Sequence, residues 1–326
     1  MQGFLLLRIM IKIKLKKKNY FDVVIVGGGI SGCLVANLLS KSGFKVVILE
    51  KSAGIGGRFS TKPVADGIAD YGCQYLNPKT RQLKSLIDDL KQKSLVNITK
   101  LNDGKIVYTS PFGMRTIPSY LSRHIIVNTN QRVNHIEIVK SIWKIETDSI
   151  AIKSKFVILT MPPSQVNELL HKSNIKTDFT HLKNDYKSFF TATFQSKFHT
   201  NTDLICSNSS FPWVCNNTMK GLRNTANIFT VNTSDELTNQ IKSKSMDERC
   251  TIIKNRLKNS FFKDVSHISV HFWKYAYTEN HNNDEFYFDR KTNMGICGDN
   301  FSVGKVDGAV KSASLLAEEI TKINNR

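Results

Sequence analysis

The chain has 326 residues, 40% of them apolar, with 46 Lys and Arg against 27 Asp and Glu and a formal charge of +19. That length suits about two domains of roughly 100–200 residues each. The six cysteines are scattered without a C-x-x-C pair, which argues against a zinc site or a disulfide scaffold and for reduced thiols in a cytosol.

The first twenty residues, "MQGFLLLRIMIKIKLKKKNY", hold an apolar run too short for a bilayer, which takes about 20 residues. Its positive charges follow the apolar part, the reverse of a secretory signal. Residues 1–19 are read as a basic N-terminal extension with no part in the fold, the piece before Met10 lying upstream of the true start; a membrane-surface arm is the other reading. No other segment is apolar enough to cross a membrane.

Phe21–Val26 reads as a buried parallel strand, being apolar and β-branched. Leu34, Val35, Leu38 and Leu39 recur at helical spacing within Ser31–Ser42, and Gly43 follows as the C-terminal cap. Phe44–Leu49 is a second buried strand. Thr80–Ser94 has the periodicity of an amphipathic helix, and Ile125–Val127, Ile136–Val139 and Trp143–Glu146 read as short strands. "KFVILTMPPSQV" is a buried strand ended by Pro162 and Pro163. Phe189–Phe198 and Ile268–Ala276 are longer, half-buried strands. Met294–Cys297 is a short buried strand, and Val306–Ile320 a closing helix. Thr200–Ser210 and "TENHNNDE" read as surface loops. The fold class is α/β. A Rossmann-type domain spans 20–78, 128–166 and 288–326, and a second α+β domain spans 79–127 and 167–287, with a more antiparallel sheet.

Gly27-Gly28-Gly29-Ile30-Ser31-Gly32 fits G-x-G-x-x-G between a strand and a helix. Gly27 permits the turn, Gly29 lets backbone approach a pyrophosphate, and Gly32 lets helix and strand pack closely. The phosphates meet a helix N-terminus, whose free N–H groups and dipole favour negative charge. Glu50 ends the second strand at about the 20-residue offset where an acid binds a ribose hydroxyl, with Lys51 beside it. These parts imply a dinucleotide without separating NAD from FAD.

"GIGGR", Gly54–Arg58, looks like the second glycine signature of the flavoprotein class that includes amine oxidases and phytoene desaturases. The resemblance implies that Gly57 passes close to the cofactor and that Arg58 meets its pyrophosphate, a task suited to a guanidinium. In "GICGDN" it implies that Asp299 receives a ribityl hydroxyl. The helix opening at Val306 would point its N-terminus at the flavin ring, stabilising negative charge there.

"DYGCQY", "FVILTMPPSQV", "HFWKYA" and "GDNFSVGKVDGAVKSASLLAEEI" resemble, in order and spacing, segments of the renalase family, nearest its bacterial members. The resemblance runs from about Tyr20 to the C-terminus, except roughly 167–263. It implies a p-hydroxybenzoate-hydroxylase-like two-domain fold with non-covalent FAD. The activity it implies is oxidation of 2- and 6-dihydro isomers of β-NAD(P)H to NAD(P)+, with dioxygen reduced to hydrogen peroxide. By position, Ser31, Glu50, Arg58, Gln74 and Tyr75 become FAD contacts, Val133 touches the adenine side, and Gln74 and Tyr75 lie near the flavin edge.

Hydride transfer from an electron-rich dihydropyridine asks for alignment and little acid–base help. No catalytic side chain is therefore assigned. The histidines lack metal-ligand spacing, so no metal is expected. Trp213, Trp273 and Tyr275 are candidates for the substrate pocket wall. Cys297 lacks the tethering motif of covalent amine oxidases and is read as a small core residue.

The partners expected are a small dinucleotide substrate and dioxygen, in the cytoplasm, with no nucleic acid. The positive charge then raises encounter with a phosphate-bearing substrate. Other readings are a flavin amine oxidase or desaturase, an NAD(P)H-using monooxygenase, and a basic nucleic-acid or membrane-surface protein with vestigial FAD.

Overall fold

The computed structural model describes residues 20–101, 104–177, 185–198, 204–205, 208–260 and 262–324. The basic extension 1–19 lies outside them, as does most of Thr200–Ser210.

The chain opens with β1 (Tyr20–Val26), α1 (Ile30–Lys41) and β2 (Val46–Leu49). Gly43 follows α1 at φ +90°. Its N–H reaches Ser40 O at 3.1 Å and that of Phe44 reaches Leu39 O at 3.1 Å, the paired bonds of a Schellman ending. A hairpin of β3 (Thr61–Val64) and β4 (Gly67–Asp70) precedes α2 (Arg81–Gln92), and β5 (Asn97–Lys100) pairs with β6 (Ile106–Thr109). Next come α3 (Thr116–Leu121), β7 (Ile126–Asn128), β8 (Val133–Val139), β9 (Ile142–Thr147), β10 (Ala151–Leu159) and α4 (Pro163–Lys172). The second half runs β11 (Tyr186–Gln195), β12 (Leu204–Ile205), β13 (Trp213–Asn216), β14 (Ile228–Asn232), α5 (Asp235–Ile241), α6 (Met246–Lys258) and β15 (Ser266–Thr278). It ends with β16 (Tyr287–Asp289), β17 (Met294–Ile296) and α7 (Lys305–Asn324). Thus β12 falls inside the stretch read from sequence as a loop.

The main sheet has eight strands with β16-β17-β10-β1-β2-β7 as its path, and β9 and β8 joined antiparallel at β10. From β17 to β7 the neighbours are parallel. Both faces are covered, which is why its strands read as unbroken apolar runs. Val23 and Ile25 face a core with α1, α2, α3 and α7, whereas Val24 and Val26 face one with β8, β9 and α4. Residues 79–127, placed by the sequence in the second domain, put Leu83, Ile87, Leu90, Met114, Ile117 and Leu121 into the first of these cores. They also supply β7 to this sheet. An apolar helical stripe shows that a helix is buried on one side, not which core receives it.

The second sheet is antiparallel, ordered β12-β13-β14-β11-β15. Phe190, Ala192 and Phe194 of β11 face Phe229, Phe262 and helices α5 and α6. The alternate residues face the main domain. In register across that face run Trp213, Asn232, Thr191 and His271, with Phe189 opposite Trp273.

If α2 belongs to the first core as described, Ile87→Ala lowers global stability by about 2–5 kcal/mol. Urea unfolding followed by circular dichroism measures this; a loss under 0.5 kcal/mol contradicts the packing.

Candidate functional site

The two glycine clusters meet. Gly56 N–H donates to Gly28 O at 2.8 Å, and Gly29 and Gly56 form a parallel bridge. Gly27 adopts φ +108°, and a Cβ there would stand 2.6 Å from Thr160 Oγ1. A Cβ on Gly32 would stand 2.0 Å from Gly27 O, so the start of α1 lies hard against the end of β1. A Cβ on Gly29 would meet nothing within 4 Å. The loop is therefore close-packed behind and open in front, at the N-terminus of α1, where Gly29 is the cap without a side-chain partner. Gly57, at φ +52°, lies close on the same spot: its Cβ would be 3.3 Å from Gly29 Cα.

Buried Glu50 secures this loop. Its Oε2 accepts Gly28 N–H at 2.7 Å and its Oε1 accepts Ser52 N–H at 2.7 Å. Each oxygen keeps a lone pair for a further donor. Exposed Lys51 turns aside to Gln165 Oε1 at 3.1 Å. Ser31 Oγ donates to Ala309 O at 3.2 Å, joining α1 to α7.

Arg58 and Asp299 form a two-pronged pair, Nη1–Oδ2 at 2.5 Å and Nη2–Oδ1 at 2.6 Å. Tyr186, at the start of β11, donates to Asp299 Oδ1 at 3.0 Å. Burial lowers the Arg58 pKa, but the Asp299 charge more than offsets it, so the guanidinium stays protonated above its ordinary value. Burial, then Asp299, raise the Tyr186 phenol well beyond its usual range, fixing it as a donor.

These residues line one cleft of ≈ 1280 Å³. Of the predicted cofactor positions Gly27, Gly29, Ser31, Glu50, Lys51, Gly57, Arg58, Gln74, Tyr75, Val133, Asp299 and Val306 all border it, and so do Trp213, Trp273 and Tyr275. Gly32 lies behind the wall, where its packing role puts it. Trp273 Nε1 donates to Tyr71 O at 2.8 Å, and the Trp273 ring stacks on Tyr71 with centroids 5.5 Å apart. His271 meets Trp273 edge-on at 4.3 Å. Burial, then the nearby Lys62, lower the His271 pKa, favouring neutral imidazole at pH 7. Burial likewise pushes the Cys73 thiol up to about 12 and raises that of Cys297, which keeps both protonated and unreactive. Among the described residues no group of His, Cys, Asp or Glu is placed to hold a metal ion.

Sequence reasoning missed Tyr186, His271 and Lys220. Lys220 Nζ lies 2.8 Å from Asp70 Oδ2 and 2.9 Å from Gln74 Oε1, behind the cleft wall. Alternation along "YKSFFTATF" puts Tyr186 on the face of Phe190 and Phe194, and the irregular pairing between Lys187 and Phe189 hides from the sequence that its hydroxyl reaches Asp299. One lysine among 46 basic residues carries no mark either.

Two outcomes follow from this geometry. Gly32→Ala, which forces the Cβ onto Gly27 O, should cost the apoprotein at least about 2 kcal/mol. Gly29→Ala should leave apoprotein stability within about 0.5 kcal/mol. Urea denaturation compares them; equal losses contradict the open front of the loop. Burial also lowers the Lys62 ammonium to about 8. From there to the unfolded lysine value of about 10.4, the unfolded chain holds a proton that the native one has lost. Stability therefore gains from this group as pH rises through that window. Lys62→Met should remove that gain, and urea midpoints of both proteins at pH 7.5 and 10 measure it; parallel midpoints contradict the shift.

Residues 25–90 match the family model described as an NAD(P)-binding Rossmann-like domain. The chain is 34% identical over 94 residues to putrescine oxidase of Kocuria rosea, 29% of this chain and 19% of that protein. It is 40% identical over 73 residues to human flavin-containing amine oxidase B, 22% of this chain and 14% of that one. The matched stretches are thus less than a quarter of those relatives' length. Among solved structures, cyclohexylamine oxidase from Brevibacterium oxydans IH-35A superposes with a TM-score of 0.70 at 12% identity, over 94% of this chain and 100% of that one. The chain is an α/β protein with a Rossmann-like domain and the two-domain fold of that oxidase.

Proposed function

We propose that the protein is an FAD-dependent oxidase of isomeric dihydronicotinamides, with FAD held non-covalently along the cleft from Glu50 to the aromatic wall. The residues fit that group on the loop's own geometry: tight behind Gly27 and Gly32, clear in front of Gly29. The cleft, at ≈ 1280 Å³, also exceeds the roughly 300–1,000 Å³ of an ordinary small-molecule pocket, leaving room for a cofactor and a substrate together. The matches to putrescine oxidase and flavin-containing amine oxidase B support flavin chemistry.

Bound FAD supplies the acceptor for a hydride and hands the electrons to dioxygen. In balance, the dihydropyridine ring loses a hydride, and dioxygen with that hydride and one proton becomes hydrogen peroxide. The protein's part is binding and alignment. Glu50 offers its remaining lone pairs to ribose hydroxyls, and the N-terminus of α1 and Arg58 favour phosphate. Val133 would border the adenine side, and Asp299 would accept a ribityl hydroxyl. Val306 opens the first turn of α7, whose N-terminus favours negative charge on the ring. Gln74 and Tyr75 would border the ring's edge, and Trp213, Trp273 and Tyr275, which line the same cleft, would give a planar substrate aromatic surface to lie against. No side chain has to move a proton from the substrate.

The observation that carries the choice of substrate is charge. Seven Lys and Arg side chains line the cleft against three carboxylates. Each carboxylate is engaged: Glu50 with backbone N–H groups, Glu168 with Lys172 at 2.6 Å, Asp299 with Arg58. Once Glu50 is taken up by the ribose of FAD, an ammonium substrate would find no unpaired carboxylate left, whereas a phosphate-bearing one meets an attractive field. The second reading, a flavin amine oxidase, draws on the amine-oxidising relatives and on the aromatic wall.

Anaerobic mixing of the oxidised protein with each donor separates the two. Off-position dihydronicotinamides should bleach the flavin at least about 100-fold faster than ordinary NADH or putrescine. Bleaching by an amine alone rejects the first reading. Arg58→Ala should yield protein with at least about tenfold weaker FAD binding, read as flavin absorbance per protein; undiminished occupancy contradicts the role of Arg58.

A further inference from the structure

Lys220 and Asp70 form the one ion pair, among the described residues, in which both side chains are shut away from solvent, at 1% and 0% exposure. Lys220 sits in the turn after β13, held by its own N–H to Asn216 O at 3.0 Å and by Thr109 Oγ1 on its carbonyl at 3.1 Å. It thus comes from the antiparallel sheet, while Gln74 belongs to the loop after β4. The ammonium spans both: Asp70 Oδ2 at 2.8 Å and Gln74 Oε1 at 2.9 Å.

Gln74 is left with little freedom. Its Nε2 donates to Asp70 O at 2.7 Å and to Gly72 O at 3.1 Å. A carboxamide has two N–H donors, and both are committed. An ammonium only donates, so the end of Gln74 that meets Lys220 is the oxygen. Without the cation the two ends of a carboxamide are nearly alike in shape, and a flip would turn N–H groups toward the place the ammonium now fills.

We infer that Lys220 is a positioning residue that holds Gln74 so that it offers the cleft an acceptor and never a donor. This rests on the flavin reading, in which Gln74 borders the ring. A ligand group meeting the polar end of Gln74 must then bring its own proton, as a ring N–H does. Lys220 also neutralises Asp70, whose charge would otherwise act on the ring from behind Gln74 at low dielectric.

The test uses FAD-loaded protein. The double variant Lys220→Met/Asp70→Asn removes the cation without stranding the carboxylate. It should bind FAD about tenfold more weakly, with a changed visible flavin spectrum at full occupancy. Adding Gln74→Leu should then weaken binding no further, because Lys220 acts through Gln74. Lys220→Arg, which keeps a cation in place, should recover most of the affinity. Should the double variant not fold, Gln74→Leu alone leaves the ion pair intact and should show the same tenfold loss. Wild-type affinity and spectrum in either variant overturn the inference while leaving the flavin reading standing. A wild type that takes up no FAD overturns that reading, and the inference with it.

Discussion

Asp70 has no water to turn to, so its charge has to be met by the protein. Lys220 meets Oδ2, while Thr61 Oγ1 at 2.5 Å and Met114 N–H at 2.8 Å meet Oδ1. Its backbone is held as firmly, the N–H by Asn217 Oδ1 at 3.1 Å and the carbonyl by Thr230 Oγ1 at 2.8 Å. These partners belong to the β3–β4 hairpin, the loop before α3, the turn after β13, and β14. A buried pair of this kind adds little over an apolar set of equal shape, yet stripping away one partner costs about 3–5 kcal/mol. The node therefore sets position more than stability. These contacts tie the antiparallel sheet to the β3–β4 hairpin, and the aromatic residues of that sheet share this placement relative to the glycine loop.

The parts of the site that rest on short-range chemistry were readable from the chain. Gly27 and Gly32 are dictated by φ and by close approach within a few residues, and Gly43 by the end of α1. The strands of the main sheet were readable because burial on both faces leaves them wholly apolar. What was not readable depended on tertiary choice. The stripe Leu83, Ile87, Leu90 belongs with α1 and α7, and nothing in an amphipathic period says which partner it takes. β12 has two residues, too few for any periodicity. Lys220 looks like any other lysine in a basic chain until the fold wraps Asp70 and Gln74 around its tip. The pairing of Arg58 with Asp299 joins residues 241 positions apart, a separation at which local pattern is silent.

The abundance of positive charge takes on meaning when sorted by place. Much of it is solvated surface, as with Lys144 between Glu137 and Glu146. The cations along the cleft are different because the carboxylates nearby are already spoken for. Arg58 alone is locked into a two-pronged pair, and its neighbour Tyr186 arrives from the other sheet. So the same residue that neutralises Arg58 also ties the antiparallel sheet to the mouth of the last helix.

The order in which the main sheet is threaded bears on how the chain is born. Its central neighbours β1, β10 and β17 lie at residues 20–26, 151–159 and 294–296, and α1 is covered by α7, which begins at 305. A ribosome delivers the first helix long before the last one that shields it. Until then the apolar face of β1 and α1 lacks the share of its cover that α7 supplies, and contacts between distant segments form slowly. The first strand and helix thus complete their native packing only with segments that lie more than a hundred residues further along the chain.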